Sequence, residues 1–154
     1  MKITILTPVY NDWKSASKLI EEINTIVKDL DAEFSLVIVN DASTEEKPTT
    51  ISSTENLSSI EILNIKNNQG HGRCIATGLK HIFQNKEFDY VIPMDGDGED
   101  RPEELNSLFK HNLIKSTFLD LIVLNSGRYL PACLINQIDL QEILFNKIFL
   151  ILLI

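Results

Sequence analysis

The sequence predicts an α/β fold, a Rossmann-like, mostly parallel sheet with helices on both faces. Three observations lead there. Short apolar, β-branched runs alternate with segments of helical spacing over the first 125 residues. Polar motifs follow three of the runs directly: Pro8-Val9-Tyr10-Asn11, Asn40-Asp41-Ala42-Ser43 and Asp95-Gly96-Asp97. No internal repeat or low-complexity stretch breaks the alternation. Strands joined through helices pair in parallel and are covered on both faces, and such sheets bind ligands at the carboxyl ends of their strands.

Each element has its own signal. Ile3 to Val9 is an apolar run of the kind a buried strand needs. Asn11-Asp12 then caps a helix whose apolar positions, Ala16, Leu19, Ile20, Ile23, Ile26, Val27 and Leu30, recur at helical spacing. Phe34 to Val39 reads as a second buried strand, ended by the loop Asp41-Ala42-Ser43-Thr44. Residues 45–58 are polar and ambiguous, a poor helix being one reading. Ile60 to Ile65 is the third strand, Asn67 to Gly72 a turn, and Arg73 to Phe83 a helix. Tyr90 to Met94 forms a fourth strand that runs into Asp95-Gly96-Asp97. Pro102 stands where a helix starts, and Glu103-Glu104 suits the positive end of its dipole. Leu119 to Leu124 is expected to be a fifth strand.

The bulk numbers bound the partners. A chain of 154 residues suits one domain and can bury a core without staples. Its formal net charge of -8 argues against nucleic acid as a partner. An anionic ligand on so acidic a chain needs a metal or a local nest of N–H groups. Cys74 and Cys133 lack metal-ligand spacing, which points to a reduced, cytoplasmic setting. The N-terminus does not read as a signal peptide, since Thr7-Pro8 cuts the apolar run short.

Asp95-Gly96-Asp97-Gly98-Glu99-Asp100 sets four carboxylates within six residues. Like charges this close repel, so a cation is the expected companion. Oxygen-only donors suit Mg²⁺ or Mn²⁺. A solvated acidic turn is the bland alternative, and the position directly after a buried strand favours the site. An EF-hand is excluded, because the sixth and twelfth positions counted from Asp95 hold Asp100 and Asn106. Asp41 is placed to accept from a base N–H or a ribose hydroxyl, or else to serve as an ordinary turn residue. In Asn68-Gln69-Gly70-His71-Gly72-Arg73 the glycines before a helix suggest a phosphate nest or close packing. Arg73 faces a diphosphate or lies on the surface, and His71 reads as structural rather than catalytic. Neither a dinucleotide fingerprint after the first strand nor a Gly-Lys-Ser/Thr P-loop is present.

Together these residues resemble the family 2 glycosyltransferases of the GT-A fold, the nucleotide-diphospho-sugar transferase type. Thr7-Pro8-Val9-Tyr10-Asn11-Asp12 resembles the family's Pro-x-Tyr-Asn opening. Val39-Asn40-Asp41-Ala42-Ser43-Thr44-Glu45 resembles its Val-Asp-Asp-Gly-Ser-Thr-Asp, with Asn40 in place of the first Asp. Asn68-Gln69-Gly70 through Gly78-Leu79 is similar to its Asn-x-Gly segment and following helix. Met94-Asp95-Gly96-Asp97 resembles its Asp-x-Asp, and the run to Pro102-Glu103 is similar to the polyprenyl-phosphate sugar transferase (dolichyl-phosphate mannosyltransferase-like) branch. The resemblance implies a nucleotide-diphosphate sugar donor and a lipid-phosphate or saccharide acceptor. It implies that Pro8, Tyr10 and Asp41 hold base and ribose, with Gly70 and Arg73 near the donor. Asp95 and Asp97 would serve metal and diphosphate, and Glu99 stands where the polyprenyl branch often has a third metal ligand.

The resemblance covers residues 1–125 as a nucleotide-sugar-binding domain and leaves 126–154 as a divergent apolar tail. The acceptor half of the family is expected to be incomplete, and no catalytic base is identifiable in residues 100–154. A lipid-phosphate acceptor, already an anion, needs none. A sugar-nucleotide-binding fragment without turnover is therefore the alternative to the enzyme, and a nucleotidyltransferase is a third reading. The tail from Ile143 to Ile154 is too short for the roughly 20 residues that span a bilayer. A helix from Leu140 would be apolar on nearly every face. It is expected either to make peripheral membrane contact at the inner, cytoplasmic face or to pack on the sheet.

Overall fold

The computed structural model describes residues 1–49, 54–97, 100–110 and 149–150. Its strands are β1 (Lys2–Val9), β2 (Glu33–Asn40), β3 (Ser59–Asn64), β4 (Tyr90–Pro93) and β5 (Phe149–Leu150). The helices are α1 (Trp13–Val27), α2 (His71–Asn85) and α3 (Glu104–Lys110). The sheet runs β3-β2-β1-β4-β5, and every pairing is parallel. This is the predicted Rossmann-like sheet. β1 lies between β2 and β4, so both its edges and both its faces are covered, which is why its sequence is apolar almost throughout.

The two faces sort by alternation along the strands. Ile3, Ile5, Phe34, Leu36, Ile38 and Ile92 pack with the α1 stripe of Trp13, Ala16, Leu19, Ile20, Ile23 and Val27. Leu105 of α3 joins this layer, and Phe109 stacks at 5.9 Å from Phe34. Leu6, Val37, Val39 and Val91 face the other way and meet Cys74, Ile75, Leu79 and Ile82 of α2. Gly78 lets α2 come close: a Cβ there would stand 2.3 Å from a Leu6 methyl and 2.9 Å from Val39.

α1 is capped as expected, Asp12 accepting from Ser15 N–H at 3.1 Å. α2 differs. It starts at His71, two residues earlier than the spacing suggests, with Gly70 as its cap at φ +82°, so Gly72 lies inside the helix. No helix forms in the described part of residues 45–58, where a turn closes from Leu57 N–H to Thr54 carbonyl. Pro102 and Glu103 form a turn, and α3 begins at Glu104. Phe149–Leu150 corrects the helical reading of the tail at those two residues: they pair as a strand with Tyr90–Val91. An apolar segment beside an open parallel edge satisfies its backbone by joining the sheet. The strand expected at Leu119–Leu124 and the boundary at residue 125 lie outside the described residues. Among the described residues, no helix is long and apolar enough to cross a membrane.

Candidate functional site

The chain travels from β1 out to β3 and then returns to β4 on the other side of β1. The strand order therefore reverses between β1 and β4, and a crevice opens beyond their carboxyl ends. A cavity of about 220 Å³ lies there. Pro8, Val9 and Tyr10 line it from the end of β1, Asp41 from β2, and Asp95, Gly96 and Asp97 from β4. Asp12, His71 and Cys74 complete it. Tyr10 is half exposed at its edge.

Two strand-end loops are locked together at one side. The Asn11 side-chain oxygen accepts from Thr44 N–H at 2.7 Å and Glu45 N–H at 3.1 Å, while Asn11 N–H donates to Ser43 Oγ at 3.0 Å. The turns this requires put Asn11 at φ +50° and Ala42 at φ +57°, both left-handed.

Asp41 is 3% exposed and almost fully engaged. Its Oδ1 accepts from Gln69 N–H at 2.7 Å and its Oδ2 from Gly70 N–H at 2.8 Å. The nest read from the glycine loop is thus filled by a carboxylate of the chain itself. The carboxylate also caps the approach to α2 in place of the side chain that Gly70 lacks. Burial, with the hydrogen bond and negative charge of Asp41 beside it, pushes the Cys74 thiol up to about 12.

On the β4 side, Asp95 Oδ1 lies 2.6 Å from His71 Nε2, and Asp95 N–H donates to Asp100 Oδ2 at 2.6 Å. Burial, followed by the neighbouring charges of Asp95, Asp97 and Glu104, pushes the Asp100 carboxyl above its usual range, although accepting the Asp95 N–H opposes the rise. Asp97 is exposed in the turn that follows.

Of the residues singled out by sequence, Pro8, Tyr10, Asp41, Asp95 and Asp97 converge on the cavity. Gly70 and Arg73 do not line it: Gly70 gives its N–H to Asp41, and Arg73 is exposed on α2. Glu99 lies outside the described residues. Among the described residues, no group of three or more His, Cys, Asp or Glu is arranged to hold a metal. Sequence reasoning did not place His71, Cys74 or Asp12 at the cavity. The signal for His71 was its position directly after a cap glycine.

A parallel sheet with helices on both faces and an acidic turn at its switch point is the architecture of the GT-A, nucleotide-diphospho-sugar transferase class. The sequence pattern of Glycosyl transferase family 2 matches residues 4–127, and the chain belongs to that family. It is 28% identical over 107 residues to an undecaprenyl-phosphate 4-deoxy-4-formamido-L-arabinose transferase of Proteus mirabilis, covering 70% of this chain and 32% of that one. The crystal structure of S. aureus TarS 1-349 in complex with UDP superposes with a TM-score of 0.54 at 25% identity, over 73% of this chain and 32% of that one. The same protein in complex with UDP-GlcNAc gives a TM-score of 0.53 at 22% identity, over 73% of this chain and 31% of that one. The chain thus spans about a third of the length of the relatives it matches.

Proposed function

We propose that this chain holds the donor of a glycosyl transfer, a nucleoside-diphosphate sugar, at the carboxyl ends of β1, β2 and β4, with Mg²⁺ or Mn²⁺ at Asp95 and Asp97. The observation that supports it is the convergence of the Pro8–Tyr10 loop, Asp41 and Asp95-Gly96-Asp97 on one cavity. A volume of about 220 Å³ is below the ~300–1,000 Å³ of pockets that enclose a drug-sized ligand, so it suits part of such a donor rather than all of it.

The donor set fits the metal. Mg²⁺ is commonly held by one or two carboxylates plus substrate phosphates, keeping several waters. Asp95 and Asp97 supply hard oxygen donors beside the cavity, and a chain of net charge -8 needs a cation there to accept a diphosphate. Such an ion supplies Lewis-acid stabilisation of the charge on the leaving diphosphate. The protein's part is binding and orientation. Tyr10 offers an aromatic face at the cavity edge for a base. Asp41 accepts the Gln69 and Gly70 N–H groups and the Cys74 thiol, which leaves one lone-pair site of the carboxylate for a ribose hydroxyl or base N–H.

The name of the Proteus relative supports a polyprenyl-phosphate acceptor, and the UDP bound to TarS supports a uridine nucleotide. A phosphate acceptor is already an anion and needs no general base. The test is calorimetry of UDP and GDP with Mn²⁺, with and without EDTA. Metal-dependent binding is expected, and Asp97→Asn should remove most of it while leaving the melt unchanged. Equal affinity with and without metal refutes the reading.

A further inference from the structure

We infer that His71 is a positioning residue that orients Asp95 for the metal. The inference rests on the proposed function, since that reading makes Asp95 a ligand. His71 Nε2 stands 2.6 Å from Asp95 Oδ1, and both residues line the cavity. A carboxylate oxygen accepts, so Nε2 carries the hydrogen.

The fold delivers this contact from two directions. Asp41, at the end of β2, takes the N–H groups of Gln69 and Gly70, and Gly70 turns the chain at φ +82°. The first residue of α2 is thereby set at the cavity wall, and it is His71. Across the cavity, the Asp95 main chain is tied by its N–H to Asp100. Asp95 is thus held at its backbone by one carboxylate and at one oxygen by the imidazole. These two ties restrict rotation of the Asp95 carboxylate. Ordering a ligand before the ion arrives removes that cost from binding, and partners of ligating groups are typically worth 10–100-fold in metal affinity.

A purely structural role predicts something else. The His71 side chain is 59% exposed, and exposed ion pairs contribute little to stability. Removing the imidazole should therefore separate metal affinity from stability.

The experiment is a Mn²⁺ titration of the full chain without nucleotide, followed by electron paramagnetic resonance of the free ion. Each variant is also melted thermally. His71→Ala should weaken Mn²⁺ by roughly 10–100-fold. His71→Gln, whose amide nitrogen reaches about where Nε2 does, should recover most of that loss. Neither should shift the melt appreciably. Unchanged Mn²⁺ affinity in His71→Ala, with Asp97→Asn abolishing binding, overturns this inference and leaves the metal site standing. A loss that tracks a falling melting temperature in both His71 variants, or no recovery in His71→Gln, also overturns it. If Asp97→Asn binds Mn²⁺ like the unaltered chain, or that chain binds none, the metal reading itself fails and the inference falls with it.

Discussion

Asp41→Ala separates the two duties that the fold gives this carboxylate. In the folded chain its oxygens accept from Gln69 N–H at 2.7 Å and Gly70 N–H at 2.8 Å, and the residue is buried. Hydrogen bonds to a charged group contribute about 1.5–3 kcal/mol each. Gln69 lies in an exposed segment, so water replaces part of what is lost. We expect a total cost of about 2–4 kcal/mol once that replacement is discounted. For a chain of this size each kcal/mol moves the melting temperature by roughly 2–4 °C, so the fall should be on the order of 5–15 °C.

Nucleoside affinity should fall in the same variant. Thermal melts followed by circular dichroism, paired with calorimetry of UDP, read both effects. A melt within about 2 °C of the unaltered chain refutes the loop-clamp assignment, because a buried carboxylate accepting two N–H groups cannot be removed that cheaply. A lowered melt with unchanged UDP affinity instead makes Asp41 a turn residue and removes it from the donor site.

Gly78→Ala drives a methyl into Leu6 and Val39, both fully buried. Overpacking of about 1–3 kcal/mol outweighs the ~1 kcal/mol of helix propensity gained, so urea denaturation should show a net loss. Ala42→Gly should do the opposite of an ordinary glycine substitution: Ala42 sits at φ +57°, where an L-residue costs roughly 1–2 kcal/mol, and the denaturation midpoint should rise. A lower midpoint would show that the turn is not strained. Cys74 has its folded pKa raised from 9.0 to about 12, so its contribution to stability is present below pH 9 and is lost between there and about pH 12. The difference in stability between the unaltered chain and Cys74→Ala should shrink over that window, and a constant difference refutes the assignment.

Much of this fold was legible because parallel strands buried on both faces are continuous apolar runs. Each of β1 to β4 falls within a residue or so of the run that predicts it. α1 was legible for a local reason, a side-chain cap at Asp12 followed by an apolar stripe. α2 was less so, because its cap is not local. Gly70 offers no side chain, and the carboxylate that takes its N–H comes from Asp41, 29 positions earlier in the chain. That single non-local contact also sets the glycine loop apart from its local reading. Read locally, Asn68 to Arg73 looks like a nest with an arginine for phosphate. Folded, its donors at Gln69 and Gly70 go to Asp41, Arg73 is exposed and does not line the cavity, and His71 does. The tail shows the same limit, since an apolar stretch reads equally well as helix or strand until a sheet edge is available to pair with it. The acidic turn after β4 needed no such partner to be recognised. Its carboxylates stand together in sequence directly beyond a buried strand, and the same adjacency sets Asp95 and Asp97 at the cavity. What sequence could not contain was the second wall, assembled from β2 and α2, against which Asp95 is held.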